Sequence, residues 1–354
     1  MRDLAIFISA FNEETVIGST LDKLLTMSDP EDIYIMSDGS TDKTREIVGK
    51  YSVNYKESKI NSGKVQNIKK GFKEFNLLSK YRYMLVLDAD TIPDKNFVKI
   101  AIMRLKEDGV ACVCGVIESQ KDTNVFVAYR IFLYVIWQQL YKRIYALFNA
   151  VPIAPGTASI YKTSVLKQIK LNGDIIIEDF DLTYQVHRKH LGRIVFEPKA
   201  RVTTQDPNNL RDTYNQVARW QLGFIQSAVK HRVPLGFQAF DIAIIISLIM
   251  MAFYTYFLVR LLVLVIWIGL FAIYPFIFGN YVDLGVLIKV TLFDYLVIWA
   301  MSTLVFVITG YQNQIKYGPI LWLVQFVYIA SLFKSIYLAI FKSVSGAWVK
   351  PTRR

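Results

Sequence analysis

Tyr83-Met84-Leu85-Val86-Leu87-Asp88-Ala89-Asp90-Thr91-Ile92 is an apolar run that stops abruptly in two carboxylates separated by one small residue. Met84 to Leu87 has the length and composition of a buried strand. At the end of such a strand, alternating side chains place Asp88 and Asp90 on one side, beyond the apolar layer, where open α/β sheets bind ligands. Paired hard oxygen donors suit Mg²⁺ or Mn²⁺, ions that keep several waters and take other ligands from substrate phosphates. The competing reading is a solvated turn leading to a helix cap near Asp94.

Outward from this stretch, strand and helix patterns alternate. Leu4 to Ser9 reads as a strand, Glu13 to Leu25 as a helix, and Ile33 to Ser37 as a strand. A helix opened by Ser40 or Thr41 runs to about Tyr51, followed by a short strand at Val53 to Lys56 and a helix from about Gly63 to Phe75. After Met84 to Leu87 come a helix from Asn96 to Lys106 and a strand from Val110 to Val116. Such alternation predicts a mostly parallel sheet with helices on both faces, a Rossmann-like α/β domain. The polar segments after the strands, Ala10 to Glu14 and Asp38 to Asp42, then converge with Asp88 and Asp90 at one crevice. A Gly-rich phosphate loop is missing, which argues against dinucleotides and ATPases and favours a nucleotide held by carboxylates and a metal.

The 354 residues are 53% hydrophobic, but the apolar content is uneven. About 235 residues of mixed character precede about 120 dominated by Leu, Ile, Val and Phe, a soluble domain followed by a membrane domain. The chain opens on a strand without the h-region of a signal peptide, so the soluble part is expected in the cytosol. Cys112 and Cys114, the two cysteines, share one face of a strand, a poor disulfide geometry, and read as small core residues. The net charge of +12 is concentrated near the membrane boundary, so anionic lipid and phosphate-bearing substrates explain it better than nucleic acid.

Phe11-Asn12-Glu13-Glu14, Asp38-Gly39-Ser40-Thr41-Asp42, Gly63-Lys64, Asp88-Ala89-Asp90, Ile177-Glu178-Asp179 and Gln216-Val217-Ala218-Arg219-Trp220 together resemble the ordered motifs of glycosyltransferase family 2. The layout is similar to that of its membrane-embedded, Q-x-x-R-W type members, the cellulose, chitin and hyaluronan synthases. The resemblance covers residues 4 to about 225 and implies a GT-A fold. It implies that Asp90, with Asp88 at ribose or metal, binds Mg²⁺ or Mn²⁺, and that Ala10, Asn12, Glu13 and Asp38 hold the nucleoside of a UDP-sugar. Lys64 lies where the family contacts the nucleotide. Asp179 takes the place of the general base, with Glu178 beside it, and Ile177 stands where the family has Thr. Arg219 can fork onto diphosphate oxygens, Trp220 offers a flat face on which a sugar ring can stack, and Gln216 is a further substrate-binding candidate. Pro155-Gly156-Thr157-Ala158 resembles the small-residue loop beside the acceptor.

Structural readings compete at several positions. Glu13 and Glu14 also suit a helix N-terminus, Lys64 a solvated helix start, and the 155–158 stretch an ordinary turn. Arg219 and Trp220 also suit an interfacial anchor. Asp181 reads as a helix cap or structural contact.

The expected organisation is a catalytic domain over 1–207, an amphipathic interface helix over 208–235 carrying Q-x-x-R-W, a transmembrane domain over 236–342, and a basic cytosolic tail over 343–354. Val125 to Phe148 is read as an interfacial helix, because a crossing there would separate Asp88 and Asp90 from Asp179 by a bilayer. Four spans are expected, Phe240–Val259, Leu261–Phe278, Val290–Ile308 and Ile320–Phe341, with three as the alternative. Asp294, one turn inside the third, either lines a polar path or snorkels.

These features predict an inverting, processive transferase that extends a β-linked polysaccharide at the cytosolic face of the cell membrane. The alternatives are a nonprocessive enzyme with a lipid acceptor and an inactive channel subunit. Because the chain opens at the first strand, export is expected to involve accessory subunits.

Overall fold

The apolar run ending in Asp88 forms β4 (Tyr81–Asp88), inside a sheet that has eight strands among the described residues. The computed structural model describes residues 2–120, 124–171, 175–233, 238–252 and 284–341. β1 (Arg2–Ala10), β2 (Ile33–Ser37) and β3 (Asn54–Glu57) alternate with α1 (Ile17–Leu24), α2 (Thr44–Val48) and α3 (Lys64–Glu74). After α4 (Leu77–Lys80) and β4 come β5 (Ile92–Pro93), α5 (Phe97–Leu105) and β6 (Val110–Ser119). β7 (Ser159–Lys162), α8 (Thr163–Leu166), α9 (Glu178–Arg188) and β8 (Arg193–Thr204) complete the domain.

The strand order is β3-β2-β1-β4-β7-β6-β8-β5, with β3, β2, β1 and β4 mutually parallel. The sheet is expected to be mostly parallel, and its other half is mixed. β7 is antiparallel to β4 and β6, and β5 to β8, while β6 and β8 are parallel. The reason is topological: the segment before β7 lies at the C-terminal ends of the parallel strands, so β7 enters there and runs back. Sheet faces are covered by separate apolar layers, one built with Ile17, Leu21, Val48 and Phe97, the other with Ile68, Phe72, Leu182 and Val186. Cys112 and Cys114 are buried in the second layer as small core side chains.

Val125 to Phe148 folds as α6 (Val125–Tyr134), a π-helical stretch (Val135–Tyr141) and α7 (Lys142–Leu147). An interfacial helix was the expectation, yet the first half is buried. Val127, Ala128, Ile131 and Phe132 pack on Val305, Phe306, Leu321 and Val324 from the C-terminal helices. Gln138 bonds both the N–H and the C=O of Ile117 on β6, at 2.8 and 2.9 Å. Exposed apolar side chains gather at Leu140, Ile144, Leu147 and Phe148.

α10 (Leu210–Lys230) is capped by Asn209, whose carboxamide oxygen accepts from the Asp212 amide at 2.9 Å. α11 (Ala239–Ala252), α12 (Leu284–Thr309) and α13 (Gly318–Phe341) follow. The segments Ile288–Thr309 and Gln312–Phe341 are long and apolar enough to cross a membrane. Residues 253–259 of the expected first span, all of Leu261–Phe278 and the tail from residue 342 lie outside the described residues.

α13 runs antiparallel to α10 along a polar seam. Lys334 Nζ donates to Asn215 Oδ1 at 2.9 Å, Ser335 Oγ to the Ala218 carbonyl at 2.8 Å, and Ser331 Oγ to Gln221 Oε1 at 2.8 Å. Phe333, Ile336, Ile340 and Phe341 stay exposed away from that seam. One flank of this apolar helix is therefore committed to the helix that carries Gln216 to Trp220.

Candidate active site

The C-terminal ends of β2, β1 and β4 stand side by side, Ala10 opposite Ser37 and Ser9 opposite Asp88. Loops leaving β1 and β2 interlock there. Asn12, at a left-handed φ of 55°, accepts the Thr41 amide at 2.7 Å through its side chain, and the Glu13 amide donates to Thr44 Oγ1 at 2.7 Å. The Glu14 carboxylate accepts the Lys43 amide at 3.0 Å. These contacts delay the start of the second helix to Thr44, later than the Ser40 or Thr41 expected.

Asp38 is fully buried, and the Ala10 carbonyl accepts its backbone amide at 2.8 Å. Its carboxylate accepts from the Ser62 amide and hydroxyl at 3.0 and 2.9 Å and from the Gly63 amide at 2.8 Å. Through these bonds Asp38 braces the loop that starts α3. Gly63 adopts φ 88°, a conformation other residues rarely take, and this turn aims Lys64 inward.

Lys64 is no solvated helix start. Its ammonium lies 2.7 Å from Asp88 Oδ1 and 2.7 Å from Glu178 Oε1. Burial, the largest influence on this amine, favours the neutral form, but the paired carboxylates outweigh it and raise its pKa. Gly156 closes the site on another side. A Cβ there would stand 3.2 Å from Glu178 Oε1 and 3.9 Å from both Asp179 Cβ and Lys64 Nζ. Thr157 follows, with its hydroxyl buried and lacking a hydrogen-bond partner among the described residues.

Asp179 sits in the first turn of α9. Its Oδ1 accepts the Phe180 amide at 2.8 Å and its Oδ2 the Gly156 amide at 3.2 Å. Burial first, then the Glu178 charge, pushes this carboxyl up to about 7, with Lys64 pulling the other way. Thr183 ties the surroundings together, donating to the Asp179 carbonyl at 2.7 Å and accepting the Ala154 amide at 2.9 Å. Asp181 is not the helix cap, since the N-cap residue is Ile177. It pairs instead with His231 at 2.7 Å and Lys230 at 3.2 Å.

Ile177 has a packing role. A Cβ on Gly223 would meet Ile177 at 2.9 Å, so α10 packs directly against the residue preceding Glu178. Gln216, Trp220 and Gly223 fall on one stripe of α10. At its other end Gln216 Oε1 accepts from Arg130 Nη2 at 2.8 Å, and the Arg130 guanidinium lies over the Trp220 ring, 4.3 Å from its centroid. One face of the indole expected to hold a sugar is therefore covered. Arg219, half-buried beside this stripe, makes no ion pair or side-chain hydrogen bond among the described residues.

Arg130 is expected from the sequence only as one of the polar residues, with Gln138, Gln139, Lys142 and Arg143, that mark the 125–148 stretch as interfacial, with no role in the site. The available signal was an isolated cation inside the apolar run Val125 to Leu133. Lys142, from the same stretch, is buried rather than interfacial: burial lowers its pKa, and its amine has no hydrogen-bond partner among the described residues.

β4 ends at Asp88, so Asp90 falls in the turn beyond the strand, closed by a 3.1 Å bond from the Thr91 amide to the Asp88 carbonyl. Among the described residues no group of three or more His, Cys, Asp or Glu side chains forms a metal-holding arrangement. The chain contributes carboxylate oxygens at the mouth of the crevice, and Asp88 already attracts a cation, the Lys64 ammonium. A small donor set of this kind fits Mg²⁺ or Mn²⁺, which complete their shells with phosphate and water.

Residues 5–170 match the family model of glycosyl transferase family 2. Poly-beta-1,6-N-acetyl-D-glucosamine synthase of Staphylococcus epidermidis is 26% identical over 230 residues, 63% of this chain and 55% of that protein. The Staphylococcus aureus (strain COL) protein of the same name is 25% identical over 256 residues, covering 68% of this chain and 61% of its own length. The chain thus spans little more than half the length of these relatives. Among solved structures, a mannosyltransferase from Pyrobaculum calidifontis in complex with GDP-Man and Mn²⁺ is similar in fold, with a TM-score of 0.57 at 14% identity, covering 96% of this chain and 88% of that one. The N-terminal domain has the GT-A fold, followed by C-terminal helices.

Proposed function

We propose that this chain, whose residues 5–170 match the model of glycosyl transferase family 2, is an inverting, metal-assisted enzyme that transfers sugar from a UDP-sugar to a growing β-linked polysaccharide. The observation that carries this reading is the double ion pair of Lys64. Asp88, at the end of β4, and Glu178, at the start of α9, are 90 residues apart in sequence but share one ammonium at 2.7 Å each. Donor-side carboxylates and the base candidate Asp179 therefore face one crevice.

Asp90 and Asp88 would hold Mg²⁺ or Mn²⁺, which neutralises charge on the diphosphate leaving group when bound. The loops at Ala10, Asn12 and Glu13 border the nucleoside, with Asp38 fixing the β3–α3 connection. Lys64 and Arg219 supply positive charge toward the phosphates. Asp179 takes the proton from the acceptor hydroxyl as that oxygen attacks the anomeric carbon and UDP departs. A carboxylate with its pKa near 7 suits a base working at neutral pH. The backbone amides of Gly156 and Phe180 orient it and leave lone pairs for the hydroxyl. One displacement inverts the anomeric centre.

The names of the relatives support a polysaccharide product. The apolar faces of α12 and α13 support a bilayer location, with the active site on the cytosolic side and export shared with accessory subunits. The test is UDP release by the detergent-purified chain with a panel of UDP-sugars, GDP-mannose as a control, and Mg²⁺ or Mn²⁺, with labelled product sized on a gel. A high-mass product from one UDP-sugar is expected. A single lipid-extractable product would overturn the polymer reading, and turnover of GDP-mannose alone would overturn the UDP assignment.

A further inference from the structure

Arg130 projects from α6 into the junction with α10 and α13, and it is 2% exposed. Around its guanidinium stand the rings of Trp220 at 4.3 Å, Tyr134 at 5.7 Å and Tyr328 at 5.9 Å, with Asp206 4.0 Å from Nε. Nη2 donates to Gln216, but neither Nε nor Nη1 has a hydrogen-bond partner among the described residues. A buried guanidinium normally spends its donors on acceptors. Here the Trp220 face, the phenol groups of Tyr134 and Tyr328 and the Asp206 charge surround it.

The spacing on α10 makes the arrangement specific. Gln216 and Trp220 are four residues apart, hence on one face of the helix. Arg130 closes a triangle with both, binding the carboxamide and covering the indole. Rotating the Trp220 side chain would pull its ring off a desolvated cation. Tyr328 brings α13 into the same cluster, and its carbonyl, accepting from Gln221 Nε2 at 3.0 Å, ties α13 to α10. The ring orientation is therefore set from outside α10, by an element that belongs to neither the metal side nor the base side.

We propose that Arg130 is the positioning residue of the acceptor platform: it fixes the Trp220 ring so that the uncovered indole face is presented to the acceptor sugar. This rests on the proposed transferase function and on the reading of Trp220 as a sugar-stacking face, here taken for the acceptor. Gln216 then belongs to the same device, holding Arg130 rather than substrate.

The full-length, detergent-purified protein carrying Arg130→Met, Arg130→Lys, Trp220→Phe or Arg130→Met with Trp220→Phe tests this, using a β-1,6-linked N-acetylglucosamine oligosaccharide as acceptor probe. Arg130→Met should raise the acceptor KM by about tenfold, with donor KM and acceptor-independent UDP release within about twofold of wild type. Arg130→Lys should recover part of that loss. In the Trp220→Phe background, Arg130→Met should add less than about twofold, because the partner it acts through is already altered. Effects that multiply in the double variant, or equal rises in donor and acceptor KM, would overturn the proposal. If Arg130→Met fails to fold, Gln216→Leu removes one hydrogen bond and keeps the cation. It should raise the acceptor KM less, and full additivity with Trp220→Phe would be the overturning result. The near-UV circular dichroism attributable to Trp220, wild type minus Trp220→Phe, should weaken in Arg130→Lys. An unchanged band would show that Arg130 does not hold the ring. This reading needs no turnover, so a wild type inactive with every donor would sink the proposed function while the spectrum still decides the role of Arg130.

Discussion

Replacing Lys64 with Met removes a cation that touches both Asp88 and Glu178 and should shift the pH dependence of transfer. Lys64 Nζ and Asp179 Cβ each lie 3.9 Å from the point where a Gly156 Cβ would stand, so they are under about 8 Å apart. A unit charge at about 8 Å contributes roughly 2 kcal/mol at an effective dielectric near 20, which is about 1.5 pH units. Asp179, already pushed up to about 7, is held down by Lys64, so losing the cation raises it further. Only the ionised carboxylate accepts a proton, so activity rises with pH through its pKa. At pH 7 the variant should lose about 15-fold in kcat, and at pH 9 it should come within about twofold of wild type. The assay is UDP release from pH 5.5 to 9.5 at saturating donor and acceptor, which separates kcat from weaker nucleotide binding. Lys64→Arg, which keeps the charge, should leave the ascending limb near its original position. A loss of equal size at pH 6 and pH 9 would refute the reasoning and assign Lys64 to the nucleotide alone.

Asp179→Asn should lower transfer by roughly 10²-fold or more while UDP-sugar affinity by calorimetry is retained; near-wild-type transfer would remove Asp179 as the base. Asp90→Asn should weaken UDP binding in the presence of Mn²⁺ and leave metal-free UDP binding unchanged, a comparison calorimetry makes directly. Gly156→Ala puts a methyl 3.2 Å from Glu178 Oε1, an atom held by Lys64 at 2.7 Å. The displacement is a few tenths of an ångström, so kcat should fall by about tenfold with little change in the thermal transition. A variant with normal kcat would show that the loop absorbs the methyl.

Local pattern alone determined the first half of the fold. Met84 to Leu87 had to be a strand because a short apolar run bounded by polar residues can bury itself only inside a sheet. The helices after β1, β2 and β3 followed from alternation, and the polar ends of parallel strands had to meet at one edge. Asp88, Lys64, Gly156, Glu178 and Asp179 were all legible as candidates from residue type and order.

Direction and partnership were not legible. The antiparallel course of β7 depends on where a long excursion re-enters the sheet, and hydrophobic period carries no record of that. Whether Lys64 faced solvent or the crevice depended on one glycine turn pinned by Asp38, a contact across 25 residues. The sequence shows Trp220 as an open aromatic face, and only packing brings Arg130 across 90 residues to cover it. Charge–ring and charge–charge contacts act through space over a few ångströms, whereas sequence periodicity reports only which face of an element a residue occupies. The elements and the chemical inventory of the site therefore lie in the chain itself, and the roles within that inventory are decided by tertiary packing.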